Sequence, residues 1–124
     1  LWIPGPLTRA AEQALERYSV WGAPLLWRSE FRNILAGYLR RGTLSTDDAL
    51  RCLAGAEEQM RGGEFFVPSA SVLREVTRSG CSAYDCEYVA LAEDLDVRLV
   101  TCDLRILKDF PRRAVDVTAF AAGR

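Results

Sequence analysis

Apolar residues return at helical spacing in several stretches of this chain, and short apolar runs of strand length lie between them. Leu7, Ala11, Ala14, Leu15 and Tyr18 share one helical face, with Thr8 placed to cap it. The next stretch, SVWGAPLL, is interrupted by Gly22 and Pro24 and reads as a short strand that passes directly into a helix. That helix, LLWRSEFRNILAGYLRRG, carries Trp27, Phe31, Ile34, Leu35 and Tyr38 on one side and stops at Gly42. Ser45 and Asp48 have capping-box spacing and open a further helix that ends at Gly62 and Gly63.

EFFVP reads as a brief buried strand, and SASVLREVTRSG as a helix closed by Gly80. Ser82 and Asp85 repeat the capping box at the start of SAYDCEYVALAEDL, whose apolar stripe is Tyr84, Tyr88, Leu91, Ala92 and Leu95. VRLVT is a β-branched run of strand length. CDLRILKDFP suggests a loop with one or two helical turns, and AVDVTAF a weak last strand. Strands separated by helices imply an α/β fold, a parallel sheet with helices on both faces.

A length of 124 residues, 49% of them hydrophobic, suits one domain with a core of its own; there is no repeat, low-complexity tract or linker. Sixteen basic residues against 17 acidic ones argue against a protein that coats nucleic acid by bulk charge, so any such contact must be local. Lys108 is the only lysine. The pairs Arg40–Arg41 and Arg112–Arg113 have the fork geometry that suits phosphate, although a solvated surface explains them as well.

The chain has no histidine, which excludes Ser-His-Asp and Cys-His nucleophilic chemistry and imidazole zinc sites. Cys52, Cys81, Cys86 and Cys102 form no CxxC pair and are expected to be buried, reduced thiols, which places the protein in the cytoplasm. No apolar run approaches the roughly 18 residues of a membrane helix.

Three acids stand where an ordinary role and a chemical one compete. Asp85 closes a capping box, yet lies at the edge of an apolar stripe. Glu30 stands between Trp27, Phe31 and Ile34, one turn before Asn33, and could pair with Arg28 or another arginine. Asp103 follows a probable parallel strand, where ligand crevices form in open α/β sheets, but it could equally cap LRILKD; Thr101 offers a hydroxyl at the strand end. Brought to one sheet edge, three carboxylates would repel one another unless a hard cation such as Mg²⁺ or Mn²⁺ joined them.

SEFRNIL, with Glu30 and Asn33, and SAYDCEYVALAEDLDVRLVTCD, with Asp85, Thr101 and Asp103, resemble motifs of the PIN-domain ribonucleases, most closely the VapC-like toxins of toxin-antitoxin pairs. The resemblance implies a three-layer α/β/α sandwich and a Mg²⁺- or Mn²⁺-dependent endoribonuclease. Glu30, Asp85 and Asp103 would be its metal-binding acids, with Thr101 and Asn33 in support. It also implies an RNA substrate, a homodimer and a small antitoxin whose tail occupies the active-site groove.

The family's pattern opens on a strand that ends in another aspartate. Residues 1–124 lack it, and the natural chain is expected to extend toward the N-terminus by a strand and its turn. The competing class is a non-catalytic PIN-like protein- or RNA-binding module whose acids are caps. A phosphoacceptor receiver domain fits Asp103 but lacks paired acids near a first strand and a suitably placed lysine.

Overall fold

A computed structural model describes residues 21–123, so the helix expected over residues 7–18 lies outside the described residues. The described part is α/β. Strand β1 (Ala23–Pro24) leads at once into helix α1 (Leu26–Arg40), followed by α2 (Thr46–Gln59), β2 (Glu64–Phe65), α3 (Ser69–Thr77) and α4 (Ala83–Leu95). Strand β3 (Leu99–Thr101), α5 (Leu104–Asp109), β4 (Ala114–Asp116) and α6 (Val117–Ala121) complete it.

Both strand pairs are parallel, as the alternation of helices and strands demands. β1 pairs with β2 across the α1–α2 hairpin, with Ala23 opposite Glu64 and Pro24 opposite Phe65. β3 pairs with β4 across α5, with Leu99, Val100 and Thr101 opposite Ala114, Val115 and Asp116. Among the described residues the two pairs are separate two-stranded sheets. Pro24 does no harm in so short a strand, because its missing N–H faces away from the ladder: Ala23 N donates to the Gly63 carbonyl at 2.8 Å and Leu25 N to that of Phe65 at 3.1 Å. Gly63 is required where β2 begins, since a Cβ there would collide with the Trp21 carbonyl oxygen.

The serine half of each capping box forms. Ser45 accepts from Asp48 N at 3.1 Å and Ser82 accepts from Asp85 N at 3.1 Å, so each helix starts at the residue the sequence marks. Helix α1 ends before Gly42 and α2 before Gly62, both with positive φ. The last apolar run is strand only as far as Asp116. There the carboxylate accepts from Thr118 N at 3.0 Å and Ala119 N at 3.2 Å, and the chain turns into α6.

The principal core forms around α4. Cys86, Val89, Ala90 and Leu91 pack with Val67, Val72, Cys81, Ile106 and Ala114. The buried side of α4 therefore differs from the expected stripe: Tyr84 is 66% exposed and Leu95 40% exposed. Leu91 and Ala92 of that stripe are buried, and Cys86, Val89 and Ala90 join them where α4 contacts α3, β1 and β3. A second cluster joins the helical hairpin, where Leu35 meets Ala49 and Cys52 beside Phe31, Tyr38, Leu44 and Leu53. Cys52, Cys81 and Cys86 are buried free thiols as expected, whereas Cys102 is free and exposed just past β3.

Candidate active site

The three candidate acids belong to three helix starts. Glu30 lies in the second turn of α1, Asp85 in the first turn of α4, and Asp103 is the N-cap of α5. Helices α1 and α5 follow directly on the C-terminal ends of parallel strands β1 and β3, the edge where α/β folds place their crevices.

Glu30 is exposed, and its position depends on what its neighbours do. Arg28, the obvious partner, is engaged elsewhere: its Nε and Nη2 donate to the two oxygens of Glu64 at 2.5 and 2.8 Å, and its Nη1 lies 3.2 Å from Glu57. Trp27 Nε1 donates to the same Glu64 at 2.9 Å. With that guanidinium committed, Glu30 faces the hydroxyl of Tyr88 on α4. Burial, and then the hydrogen bond to Glu30, hold the Tyr88 phenol protonated well above the usual phenol range; the charges of Glu30, Glu87 and Asp85 add to this.

Asp85 precedes Tyr88 by three residues, so both lie on the same side of α4. Its amide is held by the Ser82 cap, while its half-buried carboxylate has no hydrogen-bond partner among the described residues. Its charge reaches Cys81, Cys86 and Tyr88. Burial, above all, pushes both thiols up; the Ser79 hydroxyl opposes this and the neighbouring carboxylates reinforce it.

Asp103 performs the capping role that the sequence offered for it. Its Oδ1 accepts from Ile106 N at 3.0 Å, and its own amide donates to the Thr101 hydroxyl at 3.0 Å. One carboxylate oxygen satisfies the helix start and the other makes no bond among the described residues. Asn33 is exposed one turn beyond Glu30.

Glu30 of α1 thus lies beside Tyr88 of α4, one turn after Asp85. Asp103 stands at the strand end beside Thr101. Carboxylate oxygens are the donors that hard divalent ions prefer, so the chemistry of the set suits Mg²⁺ or Mn²⁺. Among the described residues, however, no three of His, Cys, Asp and Glu stand close enough together to hold an ion.

Two residues escaped the sequence reading. Tyr88 counted there as a member of an apolar stripe; its signal was the three-residue spacing from Asp85. Asp116 lies opposite Thr101 in the β3–β4 register and caps α6, which a weak strand pattern could not disclose.

The described chain is a mixed α/β domain in which Glu30 and Asp103 follow parallel strands and Asp85 opens the helix that lies between. It is 30% identical over 115 residues to ribonuclease VapC3 of Pyrobaculum aerophilum, a match that covers 90% of this chain and 87% of that protein. The chain belongs to the VapC family. No protein-family profile matches it. Among the described residues no helix is long and apolar enough to cross a membrane.

Proposed function

We propose that this protein is a metal-dependent endoribonuclease, the toxin of a toxin-antitoxin pair, built on a three-layer α/β/α PIN fold. The observation that carries the reading is the match to ribonuclease VapC3 along nine-tenths of the chain. The motifs that carry Glu30, Asp85 and Asp103 support it, since each of these acids lies in or beside the first two turns of a helix.

In this reading Glu30, Asp85 and Asp103 hold Mg²⁺ or Mn²⁺, which supplies Lewis acidity for hydrolysis of an RNA phosphodiester. The chain's own residues then have defined tasks. Tyr88 presents its hydroxyl beside Glu30. The Ser82 cap fixes the backbone at Asp85, and Thr101 fixes the backbone at Asp103. Arg28 does not neutralise Glu30, since Glu64 and Glu57 occupy it. Exposed arginines contribute salt-dependent contacts to the RNA backbone, which position the strand without reading its sequence. A small antitoxin protein and a homodimeric assembly belong to the same proposal.

The test is cleavage of a structured RNA by purified protein free of any antitoxin, with Mg²⁺, with chelator, and with the Asp85→Asn variant. Cutting is expected in the first reaction and not in the other two. Equal cutting in all three would overturn the reading in favour of an unrelated contaminant or site. A companion titration with Mn²⁺ is expected to stabilise the wild type by mass action and to leave Asp85→Asn unmoved.

A further inference from the structure

Asp85 and Asp103 sit on different helices, and besides the core packing that joins them a hydrogen bond ties the end of α5 to the turn that opens α4. Helix α5 is six residues long; Asp103 caps its start and Asp109 is its last residue. The Asp109 carboxylate turns back to the loop between α3 and α4, where its Oδ2 accepts from the backbone N–H of Gly80 at 2.8 Å. The Cys81 thiol points at the same oxygen from 3.8 Å.

That loop presents Asp85, and its other bonds come from residues close by in sequence. Ser79 Oγ accepts from Cys81 N at 3.2 Å and donates to the Glu75 carbonyl at 2.9 Å. Ser82 caps α4. Cys81 and Cys86, both buried, occupy the positions just before the cap and in the second turn, where apolar side chains staple a helix entry. Cys81 and Cys86 also pack with Ile106 of α5, a contact without direction, whereas the hydrogen bonds named so far are local and do not orient the turn relative to α5. The bond from Asp109 does so, across 29 positions of sequence. Gly80 admits it: a Cβ there would meet the Arg105 guanidinium, so α5 lies directly against the turn.

We infer that Asp109 is a positioning residue whose carboxylate, by holding the Gly80 amide, sets the placement of Asp85 relative to Asp103. The inference rests on the metal-dependent nuclease reading above. Its chemistry is that of an outer partner: Asp109 touches neither substrate nor metal, yet one acid of the set moves if the tie is cut.

Asp109→Ala removes the acceptor, whereas Asp109→Asn keeps a carbonyl oxygen within reach of Gly80 and loses only the charge. Mn²⁺ affinity by calorimetric titration, kcat and KM for RNA cleavage, and thermal midpoint are measured for both. Asp109→Ala is expected to bind Mn²⁺ about tenfold or more weakly and to lose kcat with KM little changed, well below its midpoint. Asp109→Asn is expected to restore both. If Asp109→Ala does not fold, Asp109→Ser, too short to reach Gly80, takes its place.

A variant without the acceptor that is merely less heat-stable, with wild-type Mn²⁺ affinity and kcat, would overturn the inference and leave the nuclease reading intact. Unchanged Mn²⁺ binding and cleavage in Asp85→Asn would remove the nuclease reading itself, and the inference with it.

Discussion

Arg28 and Glu64 close on each other as a two-pronged pair, Nε to Oε2 at 2.5 Å and Nη2 to Oε1 at 2.8 Å, joining the first turn of α1 to β2. The pair orients α1 and commits Arg28, one of the two arginines that flank Glu30 at a distance of two residues. A planar fork is suited to this, because two parallel bonds fix direction as well as distance.

The pair leaves a signature in acid. Its hydrogen bonds from Arg28 hold the Glu64 carboxyl below the usual carboxylate range, against a smaller opposing effect of burial. A depressed folded pKa means stability that is fully present above the ordinary carboxylate value and lost as the pH falls through the depressed one. Glu64→Gln is therefore expected to lower the urea midpoint at neutral pH, and its deficit against wild type should shrink as the pH drops through that window. The exposed pair Arg61–Glu58 is a control, and Arg61→Ala should cost less at every pH. A deficit that stays constant into strong acid would contradict this account.

Asp103 allows the cap and the chemistry to be separated. Asparagine caps a helix about as well as aspartate, whereas alanine in that place costs about 1 kcal/mol. Asp103→Asn should match wild type in denaturant unfolding and Asp103→Ala should fall short by that amount, while both lose Mn²⁺-dependent RNA cleavage. Full cleavage by Asp103→Asn would confine Asp103 to capping.

Tyr88 can be followed by phenolate absorbance. Tyr88 should ionise well above the usual phenol range because burial and then Glu30 disfavour its anion. The raised value implies stability fully present below the ordinary phenol pKa and lost as the pH rises from there toward the raised one. Tyr88→Phe is expected to delete the late component of the titration and to weaken Mn²⁺ binding, since Glu30 then lacks its hydroxyl partner. A late component that persists in Tyr88→Phe would show that another tyrosine carries it.

Thiol labelling reports the packing around α4. Cys102 is exposed and Cys52, Cys81 and Cys86 are buried, so one thiol of four should react quickly in the native protein and all four in denaturant. Cys102→Ser should abolish the fast phase. Rapid reaction of more than one thiol would mean that the Cys81–Cys86 staple opens readily.

Much of this architecture was legible in the residues. The boxes Ser45–Asp48 and Ser82–Asp85 announce helix starts because a hydroxyl satisfies an orphan amide three residues on, whatever the surroundings. The alternation of strand and helix gave the parallel pairing in the same way, since a crossover connection returns the chain in the same direction.

What the residues could not express is which partner wins. Glu30 and Arg28 are neighbours in sequence, yet Glu64, 36 positions from Arg28, takes the arginine and leaves the acid to Tyr88. Asp109 and Gly80 lie equally far from any local pattern. Local rules act over one turn of chain, so sequence by itself determined the helix starts, the turns and the α/β alternation. The side of α4 that is buried, the release of Glu30 and the tie between the Asp85 and Asp103 helices were decided only by tertiary packing, where a side chain's bond depends on what distant segments bring within reach.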